Sequence, residues 1–342
     1  MRQRRCFLVE HATGWWITGE GSSGLTSTLR RDISPSELGS GSLEIAVSHS
    51  GLNYKDALAL TGSRGVVRHT PLIPGIDAVG SVVSCSEGHY QPGDPVLLTG
   101  WGYGEQRHGG LATVLRADPQ HVVALPAGLT AEQSATLGTA GFTAALAVAK
   151  LQGSGITPAS SALPIAVTGA AGAVGSFCVF LLAQAGFVVT AITGRTDEEE
   201  YLRALGANDV ISRQEVLSQS GKPLLAELYS AVIDQAGGEL LATLLASTAS
   251  NGVVVACGLA GGTHLPTTVM PFILRGVSLM GINSVTQPAP LRQEIWNQWA
   301  MVAPDVPWSE IATVIPMGEV AEYATRVIAG LTRGRVVVSV GA

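Results

Sequence analysis

Apolar positions along the chain show two textures. Up to about residue 125 they come in short runs bounded by Gly and Pro, such as PGIDAVGSVVSC and GDPVLLTG, as strands of a compact β domain would. Residues 43–60, LEIAVSHSGLNYKDALAL, begin as an alternating strand and end as a short helix. From Thr130 the pattern changes. AEQSATLGTAGFTAALAVAKL reads as an Ala- and Leu-rich helix. Strands and helices then take turns: IAVTG, GAVGSFCVFLLAQAG, FVVTAIT, DEEEYLRALGA and DVIS, followed by the strands AVIDQAG and GVVVACGLAG. Alternation at this spacing predicts βαβ units on a parallel sheet. After about Met280 it ends, and helices are expected near residues 291–301 and 320–329, before a last strand, RVVVSV. The pattern predicts a β-rich domain split in sequence around an inserted α/β domain: residues 1–137, 138–279, and a return segment 280–342.

Composition supports two sizeable cores. The chain has 342 residues, 46% of them hydrophobic and 13% charged, too apolar for disorder. A net charge of −6 supplies no global positive field, so neither nucleic acid nor an anionic membrane surface is an expected partner. Cys6, Cys85, Cys178 and Cys257 form no CxxC and have no His at ligand spacing. Disulfides and a structural zinc are therefore not expected, and a reducing, cytoplasmic compartment is. The basic start is followed by an apolar run broken at Glu10 and His11, which gives no signal-peptide core. Residues 174–192 contain Gln184 and Gly186 and read as helix, turn and strand, so no membrane span is expected.

The sharpest motif is IAVTGAAGAVGS, residues 165–176. A buried strand runs into Gly169, Gly172 and Gly175, and a helix opens at once. Glycines let backbone approach a pyrophosphate, and the helix start offers N–H groups and a positive dipole end. Relative to G-x-G-x-x-G, Ala170 holds the first glycine position and an extra Gly precedes it. A tight strand–helix turn would need the same glycines. The strand before, the helix after and a second strand about 20 residues on favour a dinucleotide site. That second strand ends in Thr193-Gly194-Arg195-Thr196 with no acid. A carboxylate there would bind the ribose hydroxyls of NAD, whereas Arg195 suits a 2′-phosphate. Asp197, the first acid, reads as a helix N-terminal residue. NADPH is the expected cofactor.

These residues resemble the zinc-free medium-chain dehydrogenase/reductases of the quinone oxidoreductase type, in their acryloyl-CoA reductase branch. The matching segments are GLNYKDALALTG, IPGIDAVG, VLLTGWGYGE, GTAGFTA, VTGAAGAVGS, TGRTDEEEYLRALGA, ACGLAGG and LPTTVMPFILRGVSLMGINSV. They cover most of residues 52–285. The resemblance implies a Rossmann domain inserted into a GroES-like catalytic domain, a homodimer, and NADPH-dependent reduction of acryloyl-CoA to propionyl-CoA. Zinc-using cousins need a Cys/His ligand set. Here the corresponding region reads Pro74-Gly75-Ile76-Asp77, and the histidines are scattered, so no metal site is expected.

The chemistry then asks for two planar groups held face to face, donors to the thioester oxygen, and exclusion of water. Asn53, Tyr54 and Asp56 stand at the start of the short helix. Tyr54 could stack on the cofactor or give a proton, and the family reading sets it at the cofactor. Asn53 could hold a carboxamide. Asp56 either orders the loop or serves the chemistry, and helix capping accounts for Asn53 and Asp56 equally well. Thr193, Arg195 and Thr196 are cofactor candidates from the strand-end chemistry, as is Gly172 from the loop. The resemblance further implies contacts at Ala173, Val174, Gly175, Ser176, Arg213, Leu259, Ile273 and Ser284; at Thr139 helix capping and a cofactor contact are compatible. Arg335 would reach the cofactor phosphates or the substrate. Leu259 and Ile273 could equally be core residues. Arg64 and Arg68 are candidates for the phosphates of coenzyme A. Three activities stay open: an enoyl-thioester reductase, a reductase of free quinones or enones, and a non-enzymatic NADPH-binding protein.

Overall fold

The computed structural model describes residues 10–19, 24–63 and 65–341. The chain forms two units, residues 1–139 with 285–342, and residues 140–284. The inserted unit thus begins at 140 rather than 138 and ends at 284 rather than 279.

In the first unit, β1 (Ala12–Thr18) and β2 (Thr26–Ile33) pair antiparallel. β3 (Leu43–Leu52) buries Leu43, Ile45 and Val47 at alternate positions and runs into α1 (Tyr54–Leu60). β4 (Asp77–Cys85), β5 (Pro95–Thr99), β6 (Val114–Ala117) and β7 (Val122–Ala124) follow. α2 (Ala131–Gly153) carries the chain out of this unit. Among the described residues only α2 is long and apolar enough to cross a membrane. However, 72% of its apolar window is buried, and Gly138 (φ 46°, ψ −147°) breaks it in two, as suits a core helix.

The second unit reproduces the expected alternation. β8 (Ile165–Thr168), α3 (Ala173–Gln184), β9 (Val189–Thr193), α4 (Glu199–Ala204), β10 (Asp209–Ser212) and α5 (Arg213–Leu217) come first. β11 (Tyr229–Asp234), α6 (Gly238–Ser247), β12 (Thr248–Ala256), α7 (Met270–Arg275) and β13 (Ser278–Gly281) follow. The sheet is parallel, in the order β10-β9-β8-β11-β12-β13. Strand order reverses between β8 and β11, the place where open α/β sheets bind ligands at their carboxyl ends.

The return segment contributes α8 (Ala289–Val302), α9 (Trp308–Ile311), β14 (Ala312–Pro316), α10 (Val320–Ile328) and β15 (Arg335–Ser339). β15 lies between β14 and β3, so the first unit's sheet runs β14-β15-β3-β4-β5-β7, with β6 on β3. Sequence reading passes over β14. As an edge strand it buries only Ile315 and shows no apolar alternation. Among the described cysteines, Cys85, Cys178 and Cys257 are free thiols, while Cys6 lies outside the described residues.

Candidate functional site

In the second unit, β8 ends in a turn that only small residues can make. Gly169 has φ 54°, in the left-handed region. A Cβ on Gly175 would drive into the carbonyl oxygen of Gly169 and stand 2.6 Å from Ala170 Cα, so the third glycine lets α3 close on the loop. Gly172, in extended conformation, caps a helix whose first-turn amides, Ala173, Val174 and Gly175, have no intrahelical acceptor. This is a backbone cradle for an anion, and it fits the pyrophosphate of a dinucleotide. Ser176 does not line it. Its side chain is buried, donating to Gly172 O (2.8 Å) and accepting from Tyr201 OH (2.7 Å), so it braces the loop from below.

The neighbouring strand end supplies cations. Arg195 lies back over the loop, donating from Nη2 to Ala171 O at 3.2 Å, with Nη1 3.7 Å from Glu198. The Arg213 guanidinium lies against Gly194, where an added Cβ would stand 3.3 Å from Cζ. Arg195 and Arg213 therefore flank the backbone after β9, where a 2′-phosphate would sit. Thr193 is a turn former. It is buried, and its Oγ1 accepts the Arg195 N–H at 3.0 Å. Thr196 and Asp197 are exposed in the following 3₁₀ turn, beyond the strand end.

In the first unit, a buried polar network lies under the start of α1. Asp56 accepts from Gly75 N (3.1 Å) and Ile76 N (2.9 Å) on one oxygen, and from Asn53 N (2.9 Å) and Asn53 Nδ2 (3.0 Å) on the other. Burial pushes its carboxyl up to about 6, against the pull of these N–H donors. Asn53 also donates to Asp77 Oδ2 (2.8 Å) and accepts from Arg335 Nη1 (2.7 Å). Asp77 receives Thr139 N (3.0 Å) and Oγ1 (2.5 Å) and forms a short ion pair with Arg335. Asp77 and Arg335 are both buried. Side chains on Gly51 or Gly138 would occupy the space of that pair.

Three expectations change. Arg335 does not reach out to phosphates; its guanidinium is held by Asp77, Asn53 and the carbonyl of Leu52. Asn53 and Asp56 are enclosed and committed to their neighbours, so they position α1 rather than touch a ligand. Tyr54, at the first helical position, is the member that faces outward, 41% exposed. Leu259 (60% exposed) and Ile273 (71%) are not core residues. Ser284 is half-buried just past β13, and Thr139 is bonded to Asp77. Arg68 is exposed, and its N–H donates to Glu105 O (2.9 Å); Arg64 lies outside the described residues. Asp77 is the group that sequence reading missed. Its one signal is an acid opening an otherwise apolar strand.

Residues 39–127 match the family described as the alcohol dehydrogenase GroES-like domain, and residues 173–301 the one described as zinc-binding dehydrogenase. The chain is similar to the acrylyl-CoA reductase AcuI of Ruegeria pomeroyi, 40% identical over 94% of this chain and 96% of that protein. It is 38% identical to the putative quinone oxidoreductase YhfP of Bacillus subtilis, over 90% of this chain and 93% of that one. The crystal structure of the yhdH oxidoreductase from Salmonella enterica in complex with NADP superposes with a TM-score of 0.91 at 40% identity, covering 96% of this chain and 99% of that one.

Proposed function

The chain belongs to the acrylyl-CoA reductase branch of the medium-chain dehydrogenase/reductases, and from that premise we propose that it reduces the C=C bond of acrylyl-CoA with NADPH, giving propionyl-CoA. The identity to an acrylyl-CoA reductase across nearly the whole of both chains carries this reading. When bound, the reduced nicotinamide supplies the hydride that adds to the β-carbon of the enoyl thioester. The first-turn amides of α3 hold the pyrophosphate, and Arg195 with Arg213 binds the 2′-phosphate and selects NADPH over NADH. Asn53, Asp56, Asp77 and Arg335 fix the start of α1, and so the direction of Tyr54, which orients the reacting groups. The α-carbon receives its proton from the Tyr54 hydroxyl or from solvent. No metal is needed in this scheme. Both carboxylates under α1 are already committed, Asp56 to N–H donors and Asp77 to Arg335.

The acryloyl group has three carbons, and at about 0.8 kcal/mol per buried CH₂ it offers little grip. Binding energy must come from the coenzyme A moiety, with Arg68 as a candidate phosphate contact, and it should raise kcat as well as lower KM. Steady-state NADPH oxidation should therefore favour acrylyl-CoA over the N-acetylcysteamine thioester, acrylate and simple quinones in kcat/KM. Equal rates with a quinone would replace this reading by that of a quinone reductase, which the likeness to YhfP supports. A homodimer and a cytoplasmic location complete the proposal. Val269 just before α7, Ile273 and Leu274 on α7, and Leu279 on β13, the edge of the sheet, expose apolar surface, and the described cysteines are free thiols.

A further inference from the structure

The loop after β11 holds a polar side chain that none of these roles uses. Gln235 follows Asp234, and its backbone is tied on both sides. Its N–H donates to Thr168 Oγ1 (2.9 Å), and its carbonyl accepts from Ala260 N (3.3 Å). Thr168 Oγ1 in turn donates to Asp234 Oδ1 (2.7 Å), and Asp234 Oδ2 accepts from Gly237 N (2.7 Å). The residue is thus fixed at the carboxyl ends of β8 and β11. Its side-chain amide is turned to two thiols that burial keeps protonated, Cys178, whose Sγ lies 4.0 Å from Nε2, and Cys257. Its Oε1 is buried and has no hydrogen-bond partner among the described residues. A Cβ on Gly169 would stand 3.4 Å from that oxygen, so the amide lies beside the first glycine of the phosphate loop. Gly169 itself is exposed, so the amide lies next to the open part of the loop.

A buried acceptor without a donor is costly. Gln235 Oε1 is one of six buried side-chain polar atoms without a partner among the described residues, and it lies beside the phosphate loop. The ligand that answers it must bring a donor. Phosphate oxygens beside the loop only accept, whereas a ribose hydroxyl donates. Sheet order says which ribose. Arg195 and Arg213 follow β9 and β10, on one side of β8; Gln235 follows β11, on the other. With the 2′-phosphate on the arginine side and the pyrophosphate at the helix start, the riboside on the β11 side is the nicotinamide one. We propose that Gln235 Oε1 accepts a hydrogen bond from a hydroxyl of the nicotinamide ribose and so positions the reactive half of the cofactor. The assignment rests on the NADPH reading of the same site.

The test is calorimetric titration of wild type and Gln235→Met with NADP⁺ and, separately, with 2′,5′-ADP, which carries only the adenosine half. Methionine keeps the length and apolar stem and removes the acceptor. NADP⁺ affinity should fall roughly three- to tenfold, the value of one neutral hydrogen bond, while 2′,5′-ADP affinity stays the same. The melting temperature without ligand should not drop, since an unsatisfied acceptor has been removed, and the rise on adding NADP⁺ should be smaller than in wild type. Parallel weakening of both ligands would mean that Gln235 shapes the phosphate loop, and unchanged NADP⁺ affinity would mean that it meets no ribose; either overturns the proposal. A lower ligand-free melting temperature, in this variant and in Gln235→Leu alike, would show that the amide has a partner within the fold and overturns it too. Wild-type protein that binds neither ligand would instead remove the cofactor reading itself.

Discussion

The phosphate loop and the network beneath α1 are opposite ways of preparing polar groups. At the loop, the first-turn amides of α3 have no intrahelical acceptor, the oxygen of Gln235 has no hydrogen-bond partner among the described residues, and glycines keep the approach open. Under α1, Asp56, Asp77 and Asn53 are bonded to one another, to backbone or to Arg335. The first region leaves polar groups available to a ligand. The second is satisfied within itself but for Arg335 Nε, which is buried without a hydrogen-bond partner among the described residues, and Tyr54 beside it faces outward. A perturbed, buried carboxylate is therefore not by itself a catalytic one. Asp56 has the raised pKa of an active-site acid, yet its oxygens are occupied by scaffold N–H groups.

The largest expected effect breaks the self-satisfied side. Asp77→Ala leaves Arg335 buried without its anion and should lower stability by about 3–5 kcal/mol in urea unfolding. Affinity for 2′,5′-ADP should be retained while the protein stays folded. A loss below 1 kcal/mol would mean that the pair is hydrated in solution.

Next in size is a pH effect that weighs burial against hydrogen bonding at Asp56. With a folded pKa of about 6 against an ordinary 3.8, the folded chain holds this proton longer than the unfolded one. Stability from this group is then present below about pH 4 and is lost as pH rises towards 6, by about 3 kcal/mol at most. Measured against Asp56→Asn at each pH, the wild-type advantage should shrink over that window. An advantage that grows with pH would show that the N–H donors outweigh burial.

The smallest of these effects sharpens the ligand-ready side. Arg195→Ala should weaken NADPH binding about ten- to a hundredfold, the loss of a charge-assisted hydrogen bond, and leave NADH nearly unchanged. Equal weakening of both cofactors would assign Arg195 to the scaffold, through its bond to Ala171 O.

The same contrast explains what could be read from sequence. The phosphate loop is local. A strand, glycines at 169, 172 and 175 and a helix lie within 20 residues, and periodicity with glycine chemistry announces them. The network is not local. Asp77 and Arg335 are 258 positions apart, and each looks ordinary in its own segment. Gly51 and Gly138 are small to make room for that pair, which no neighbouring residue hints at. Leu259 and Ile273 show the reverse limit. Their apolar side chains fit a core equally well by type, and only the fold sets them outside.

The position of β15 also has a consequence in time. The second unit is contiguous, so a chain emerging from the ribosome can complete it as soon as residue 284 is out. The first unit cannot close, because β3 waits for β15 as its neighbour and Asp77 waits for Arg335. At about 5–20 residues per second, 258 residues take roughly 13–50 s to arrive. For that interval Asp77 lacks Arg335, and the second half of β3, residues 49–52, lacks its β15 neighbour, while β4 and β6 can already pair with the strand. The end that is made first is the end that folds last, and nascent protein should be most exposed to proteases and chaperones in its N-terminal third.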